Sequence, residues 1–293
     1  MQNKSILVSI LSWLLGIVVT IVATVAGAYI IIKSKYNVDI FKAINQVRAL
    51  AQPVDEESTL TNKFSDVSMT SVVTKINASL PTLLVLNGEN KYVIDSTQVS
   101  VTDMQENVRL TDAECGALLN NLFIADAFEA NPIKIGNAVL PMEFVELDFG
   151  YHSGNNAIKF TVVIKLDATL IKNNMTSFPA TLLKDQIPNH FYLFATTVVT
   201  KTENAFEYTL ADAYMKANNL SVDDTMSLFG ALNKFLNFGE PSAFAGQFVN
   251  TIANALFSNE DSKGFMYVME AYNATDFNFA IEGETIYVEI LRP

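Results

Sequence analysis

The chain holds one cysteine and two histidines, so a thiol nucleophile with an imidazole base would have to pair Cys115 with His152 or His190. Cys115 follows Glu114 in an apolar helical stretch, where a small buried core residue is the expectation. His152 sits in the polar turn Tyr151-His152-Ser153-Gly154-Asn155, and His190 follows Pro188-Asn189; both are places for solvated turn histidines. Three residues so scattered make no zinc pattern. Glu143, Glu146 and Asp148 are near neighbours, but Glu146 and Asp148 share the polar side of a strand alternation and should face solvent. Asn259 to Gly264 has the composition of a calcium loop without its alternating ligands or closing Glu. No Gly-x-Ser-x-Gly, His-Glu-x-x-His, Ser-x-x-Lys, P-loop or dinucleotide glycine pattern occurs. The expectation is a protein that is not an enzyme and carries neither metal nor cofactor.

What the sequence offers instead is apolar surface at strand spacing. Phe160, Val162 and Ile164 recur every second residue, as do Phe191 and Leu193, and again Phe206, Tyr208 and Leu210. Alternate residues of a strand share one face, so these runs could line an elongated slot for acyl chains or fill an ordinary close-packed core.

The elements that position them are long strands. Val145, Leu147, Phe149 and Tyr151 alternate with Glu146, Asp148 and Gly150, and the same period returns over Phe160–Asp167, Phe191–Val199 and Phe206–Leu210. Upstream, Leu83–Leu86 and Lys91–Ile94 read as a hairpin turning at Asn87-Gly88, with Val99 and Val101 continuing in strand alternation. Thr111-Asp112-Ala113-Glu114 fits a capping box opening a helix through Leu118, Leu119, Leu122 and Phe123, with Pro132 beyond its end. Ser221 to Asp224 opens another helix, closed by Gly239. Pro241 starts a third, with Phe244, Phe248, Ile252 and Leu256 as its apolar stripe. The chain should end in strands at Phe265–Tyr272, Phe277–Ile281 and Ile286–Leu291, with a turn at Glu282-Gly283-Glu284. The expected class is α+β, a long twisted antiparallel sheet covered by helices over residues 64–293.

Residues 1–35 read as a short tail and a transmembrane helix. Ile6 to Ile32 carries no charged side chain, and at 1.5 Å per residue it is about 40 Å long against a hydrocarbon core of about 30 Å. An uncleaved span is expected over a signal peptide cut near Ala26-Gly27-Ala28, because a signal's apolar region runs to only about 15 residues. Ser12, Gly16, Thr20, Thr24 and Ala28 recur every four residues, a small-residue ridge suited to self-association or to a membrane-helix partner. In residues 36–63, Val38, Phe41, Ile44, Val47 and Leu50 keep helical spacing, a stripe that would lie on the bilayer interface or dock on the domain. Gln52 to Ser58 then reads as a linker.

Of 19 basic and 31 acidic residues, five and one lie in residues 1–49, which leaves the remainder at a formal −16. A body so acidic repels phosphates, so nucleic acid is not an expected partner, whereas the lipid bilayer and a lipid ligand are. Lys33, Lys35, Lys42 and Arg48 outnumber Lys4, which by the positive-inside rule places the domain in the cytoplasm. A strand-rich domain behind a single span favours the extracytoplasmic side of a cell membrane, and that localisation is the expectation.

The N-terminal apolar run, the Val108-Arg109-Leu110-Thr111-Asp112-Ala113-Glu114 helix opening with Leu118-Leu119, and the long strands Phe144–Tyr151, Ala157–Ile171 and His190–Thr202 carry a resemblance. Over residues 80 to 235 the layout resembles membrane-anchored envelope proteins of low-GC Gram-positive bacteria related to the tubular lipid-binding (TULIP-like) superfamily. The resemblance implies a curved sheet wrapped around a helix, and a domain that binds or passes a lipid or lipid-linked envelope precursor. A structural or interaction module of an envelope assembly is the alternative expectation.

Overall fold

In the computed structural model, which describes residues 17, 19–20, 23–95, 97, 103–130, 132, 134–135, 138–154, 156–236, 241–260 and 264–293, the chain is α+β. A helix over 23–36 (α1) leads to α2 (Ile40–Leu50), the short α3 (Glu56–Thr59) and α4 (Asp66–Ser79). The hairpin β1 (Leu84–Leu86) and β2 (Tyr92–Ile94) precedes β3 (Val108–Thr111), α5 (Asp112–Leu122) and α6 (Ile124–Ala130). Next come β4 (Lys134–Ile135), β5 (Ala138–Val139), β6 (Met142–Tyr151), β7 (Ala157–Asp167), α7 (Thr169–Asn174) and α8 (Thr181–Lys184). Then follow β8 (His190–Lys201), β9 (Tyr208–Ala217), α9 (Val222–Leu236), α10 (Pro241–Phe257), α11 (Phe265–Ala271), β10 (Asp276–Glu282) and β11 (Thr285–Leu291).

The strands β6, β7, β8 and β9, ten to twelve residues each, form an antiparallel meander in chain order. A second antiparallel sheet has the order β10-β11-β3. The inner face of the meander is closed by α10, flanked by α9 and α5. Phe244, Phe248, Ile252 and Leu256 of α10 are buried there. At its C-terminal end the Phe257 ring lies 5.6 Å from Phe160, 5.7 Å from Tyr208 and 5.2 Å from Phe277. One aromatic ring thus joins both sheets, at spacings that favour edge or offset contacts.

The transmembrane helix is corrected. Most of the expected span, including Ser12 and Gly16 of the small-residue ridge, lies outside the described residues. Among the described residues no helix is long and apolar enough to cross a membrane. The end of α1 enters the protein core: Ile32 is 1% exposed. Tyr29 packs on Phe41 at 5.3 Å and donates its hydroxyl to Asp39, which also caps α2 by accepting the N–H of Lys42. In the ridge, Thr24 donates to the Thr20 carbonyl and Ala28 is half-buried. The expected stripe docks in part: Val38, Val47 and Leu50 are buried and Ile44 half-buried, but Phe41 is exposed, Ile40 and Ala43 are buried instead, and Gln46 donates to Asp224 of α9.

Other differences have local causes. A bulge between Phe144 and Glu146 shifts the register of β6 on β7, so Phe144, Leu147 and Phe149 point inward while Val145 joins the opposite face. Phe265–Ala271 is helical rather than extended, burying Phe265, Met266 and Met269 at helical spacing. In the first hairpin the positive φ falls on Asn90, and the Asn87 side chain accepts the N–H groups of Glu89 and Lys91. Val99 and Val101 lie outside the described residues. The Thr111/Glu114 capping box forms as read, and a second one, Ser65 with Ser68, opens α4.

The outer face of the meander is crossed by residues 53–63. Leu60 packs with Val163 and Tyr192, and Lys63 bridges to Glu146 of β6. Tyr192 and Lys63 both donate to Glu56, at 2.5 and 2.7 Å. The docking of α1 is testable: Ile32→Ala should cost about 2–5 kcal/mol in urea unfolding, whereas a loss under about 0.5 kcal/mol would place Ile32 outside the core.

Candidate ligand-binding site

Phe160, Val162 and Ile164 are fully buried on the inner face of β7, with Leu193 directly opposite Ile164 across the β7–β8 ladder. Phe191 is buried one pair further along, where it meets Phe229 of α9 at 6.3 Å. These five residues come together, and the rings and aliphatics of α9 and α10 fill the space above them. Phe206, Tyr208 and Leu210 meet the same core from its edge, Tyr208 through the Phe257 ring and Leu210 opposite Val199. Phe206 precedes β9 with φ +56, outside the strand, while Tyr208 and Leu210 are half-buried toward the edge. The Tyr208 hydroxyl donates to Asn254 of α10. Burial, and then the charge of Glu260, pushes that hydroxyl's pKa up to about 12.

The apolar opening that the fold leaves lies beside this core, between α6, β5 and the start of β6. Ile124, Ala125 and Phe128 line one wall; Val139, Leu140, Pro141, Met142 and Phe144 line the other, with Asn120 and Glu143 at the rim. Its volume is about 500 Å³. The floor is rigid: Phe128 sets its edge on Phe248 of α10 at 6.4 Å, and Phe144 lies 5.0 Å from Phe64. Val139, 56% exposed, is one of the large apolar side chains the fold leaves in solvent. Sequence reasoning passed over this groove because α6 is only seven residues long, too short for a period. The available signal was Val139-Leu140-Pro141-Met142, four apolar residues that do not alternate.

The residues considered for catalysis stay apart. Cys115 is buried on α5, and burial, before the charges of Asp112 and Glu114, pushes its thiol well above the ordinary range. His152 accepts the N–H of Gly154 in its turn, and His190 is exposed at the start of β8. Among the described residues no cluster could hold a metal ion; Asp261, Ser262 and Lys263 of the calcium-like loop fall outside them.

The carboxylates of β6 are not the solvated face that alternation implied. Glu146 is 3% exposed beneath residues 53–63. The backbone N–H of Asn62 donates to Glu146 Oε1 at 3.2 Å; its side-chain amide donates to Asp148 and Asp112 at 2.7 and 3.2 Å. Glu146 Oε2 has no partner among the described residues. Burial first, then the charges of Asp148 and Asp112, raises the Glu146 pKa against the opposing Asn62 N–H and Lys63; burial likewise raises that of Asp112. One residue, Asn62, therefore donates to all three carboxyl groups, through its backbone N–H and its side-chain amide.

No family model matches the chain, and no curated protein or solved structure is significantly similar to it. The site is thus read from its own geometry.

A carboxyl whose folded pKa is raised contributes stability below its ordinary value, about 4.3, and loses that contribution as pH rises through the folded value. Glu146→Gln keeps the acceptor for Asn62 and supplies a donor where Oε2 has no partner. It should therefore raise stability by about 1 kcal/mol at pH 7 and leave it unchanged at pH 4. Equal effects at the two pH values, in chemical denaturation, would contradict the assignment.

Proposed function

We propose that the protein is a non-catalytic binding module that takes an aliphatic chain, belonging to a lipid or lipid-linked molecule, into the groove between α6, β5 and β6. The observation that carries this reading is the groove itself: about 500 Å³ of open space whose described lining is eight apolar residues with Asn120 and a single charged group, Glu143. A pocket of this size with few polar groups is of the kind that holds small apolar ligands. Each seated methylene contributes about 0.8 kcal/mol, so six give about 5 kcal/mol before the cost of association is subtracted. The resemblance to lipid-binding envelope proteins supports the same reading, with one change of place. The inner face of the sheet is filled by α10, so the chain would sit alongside the core, not under the sheet. The acidic body and Glu143 favour a head group that is uncharged or positive.

The test uses the full chain with the uncharged fluorophore N-phenyl-1-naphthylamine, displaced by monolaurin. Wild-type protein should enhance the fluorescence and release the probe to monolaurin. Val139→Asp and Ala125→Asp, both at exposed positions, should weaken displacement at least tenfold. Probe binding that survives both changes, or no enhancement in the wild type, would refute the reading and favour a protein-interaction module.

A further inference from the structure

At the other end of the meander, the turn between β8 and β9 and the C-terminal half of α10 enclose a second and larger opening. Its volume is about 590 Å³, and it is lined by Asn204, Phe206, Glu207, Tyr208, Asn254 and Glu260 among others. It meets, at Asn254, a shallow opening of about 460 Å³ whose described lining is α10 alone, running back past Asn250, Gln247 and Gly246 to Ala243. Together they follow roughly 20 Å of helix, long enough for a chain of several small units.

The chemistry of this cleft differs from that of the apolar groove. Carboxamides dominate it. Gln247 and Asn250 are exposed and have no side-chain hydrogen-bond partner among the described residues. The Asn254 carbonyl accepts from Tyr208, which turns its amide N–H groups outward. A carboxamide offers two donors and an acceptor from one rigid plane, which suits a hydroxyl that both donates and accepts. The described residues lining the two openings include two carboxylates, Glu207 and Glu260, and no Lys, Arg or His. Phosphate and uronate groups would be repelled. The lining also lacks the exposed aromatic or aliphatic anchors on which protein interfaces depend.

The wall is preorganised. Lys201, buried at the end of β8, donates to the carbonyls of Thr202 and Asn204 at 2.7 and 2.6 Å and pairs with Asp276 at 3.1 Å. The other Asp276 oxygen accepts the N–H of Phe206 at 2.8 Å, holding that bulky residue at φ +56, where L residues seldom lie. The turn that presents Asn204 and Glu207 is thereby fixed before any ligand arrives, which lowers the cost of ordering on binding.

We propose that this cleft is a binding site for a short glycan chain free of anionic groups, its hydroxyls held by the carboxamides of α10, by Glu207 of the β8–β9 turn and by Glu260 just beyond α10. The inference is independent of the aliphatic-chain reading, since the two openings lie at opposite ends of the sheet.

Titration calorimetry of the full chain with cellotetraose, chitotetraose, maltotetraose and tetragalacturonate tests it. At least one of the three neutral tetramers should bind saturably, and tetragalacturonate at least tenfold more weakly. Gln247→Ala and Asn250→Ala, neither of which removes a packing contact, should lower the neutral affinity at least fivefold without moving the thermal midpoint. Glu207→Gln with Glu260→Gln should narrow the gap to tetragalacturonate. Val139→Asp should leave all of these values unchanged, so failure of the aliphatic reading is seen separately. No saturable binding by any neutral tetramer, equal binding of tetragalacturonate, or affinity indifferent to Gln247→Ala and Asn250→Ala would overturn the proposal.

Discussion

Closure of the meander by α10 is the constraint on which the other features depend. A four-stranded sheet with one apolar face is not stable in water until that face is covered. Here the cover is a single seventeen-residue helix whose Phe244, Phe248, Ile252 and Leu256 lie along the sheet and whose Phe257 reaches three elements at once. Phe257 stacks on Phe277 and meets Phe279 edge-on, so the β10-β11-β3 sheet is fixed to the meander through the same ring. Interiors pack to crystal-like density, and a helix seated this closely leaves no long slot beneath it.

Where α10 and its neighbours stop covering the sheet, open surface begins. At one end, the short α6 and the two-residue β5 leave apolar side chains partly in water, and Val139 marks the groove. At the other, the β8–β9 turn stands against the last turns of α10 and forms a polar cleft. The outer face follows a different rule. It carries a smaller apolar cluster, Leu60, Val163 and Tyr192, and is crossed by residues 53–63, whose polar contacts centre on Asn62 and Glu56. The buried Glu146 below them is a polar group with one oxygen left without a partner, an arrangement held in place by the rest of the sheet.

Strands with one buried face were legible because a period of two holds in stretches such as Leu147–Tyr151 and Phe160–Leu166, although bulges interrupt it elsewhere. The helix openings at Thr111 and Ser221 were legible because capping residues leave a chemical signature: Thr111 and Ser221 accept the N–H groups of Glu114 and Asp224. What the sequence could not display was tertiary. The oily N-terminal run reads as a span until Ile32 is seen in the core beside charged Lys33 and Lys35. Phe265 to Ala271 is a short apolar run, and a run of that length has the same appearance in a strand and in a helix. Glu146 looked solvated because nothing in residues 53–63 announces that they lie on a sheet. Phe160, Val162 and Ile164 of the expected stripe are buried on one face of β7, and the space over them is filled by the protein's own helices. The carboxamides Gln247, Asn250 and Asn254 were visible only as the polar side of α10; the meeting of Asn254 with Glu207 depends on a turn remote in sequence.

The most direct test is native-state hydrogen exchange followed by mass spectrometry on the full chain, comparing α10 with β7 and β8. If α10 is an integral part of the core, its amides from Phe244 to Phe257 should exchange at the same opening free energy as those of Phe160 to Leu166 and Phe191 to Val199. They should be exposed only in the global unfolding step. Exchange in α10 more than about 100-fold faster than in those strands would show a helix that detaches while the sheet persists. In that case the sheet would have an open slot, and the central claim would be wrong.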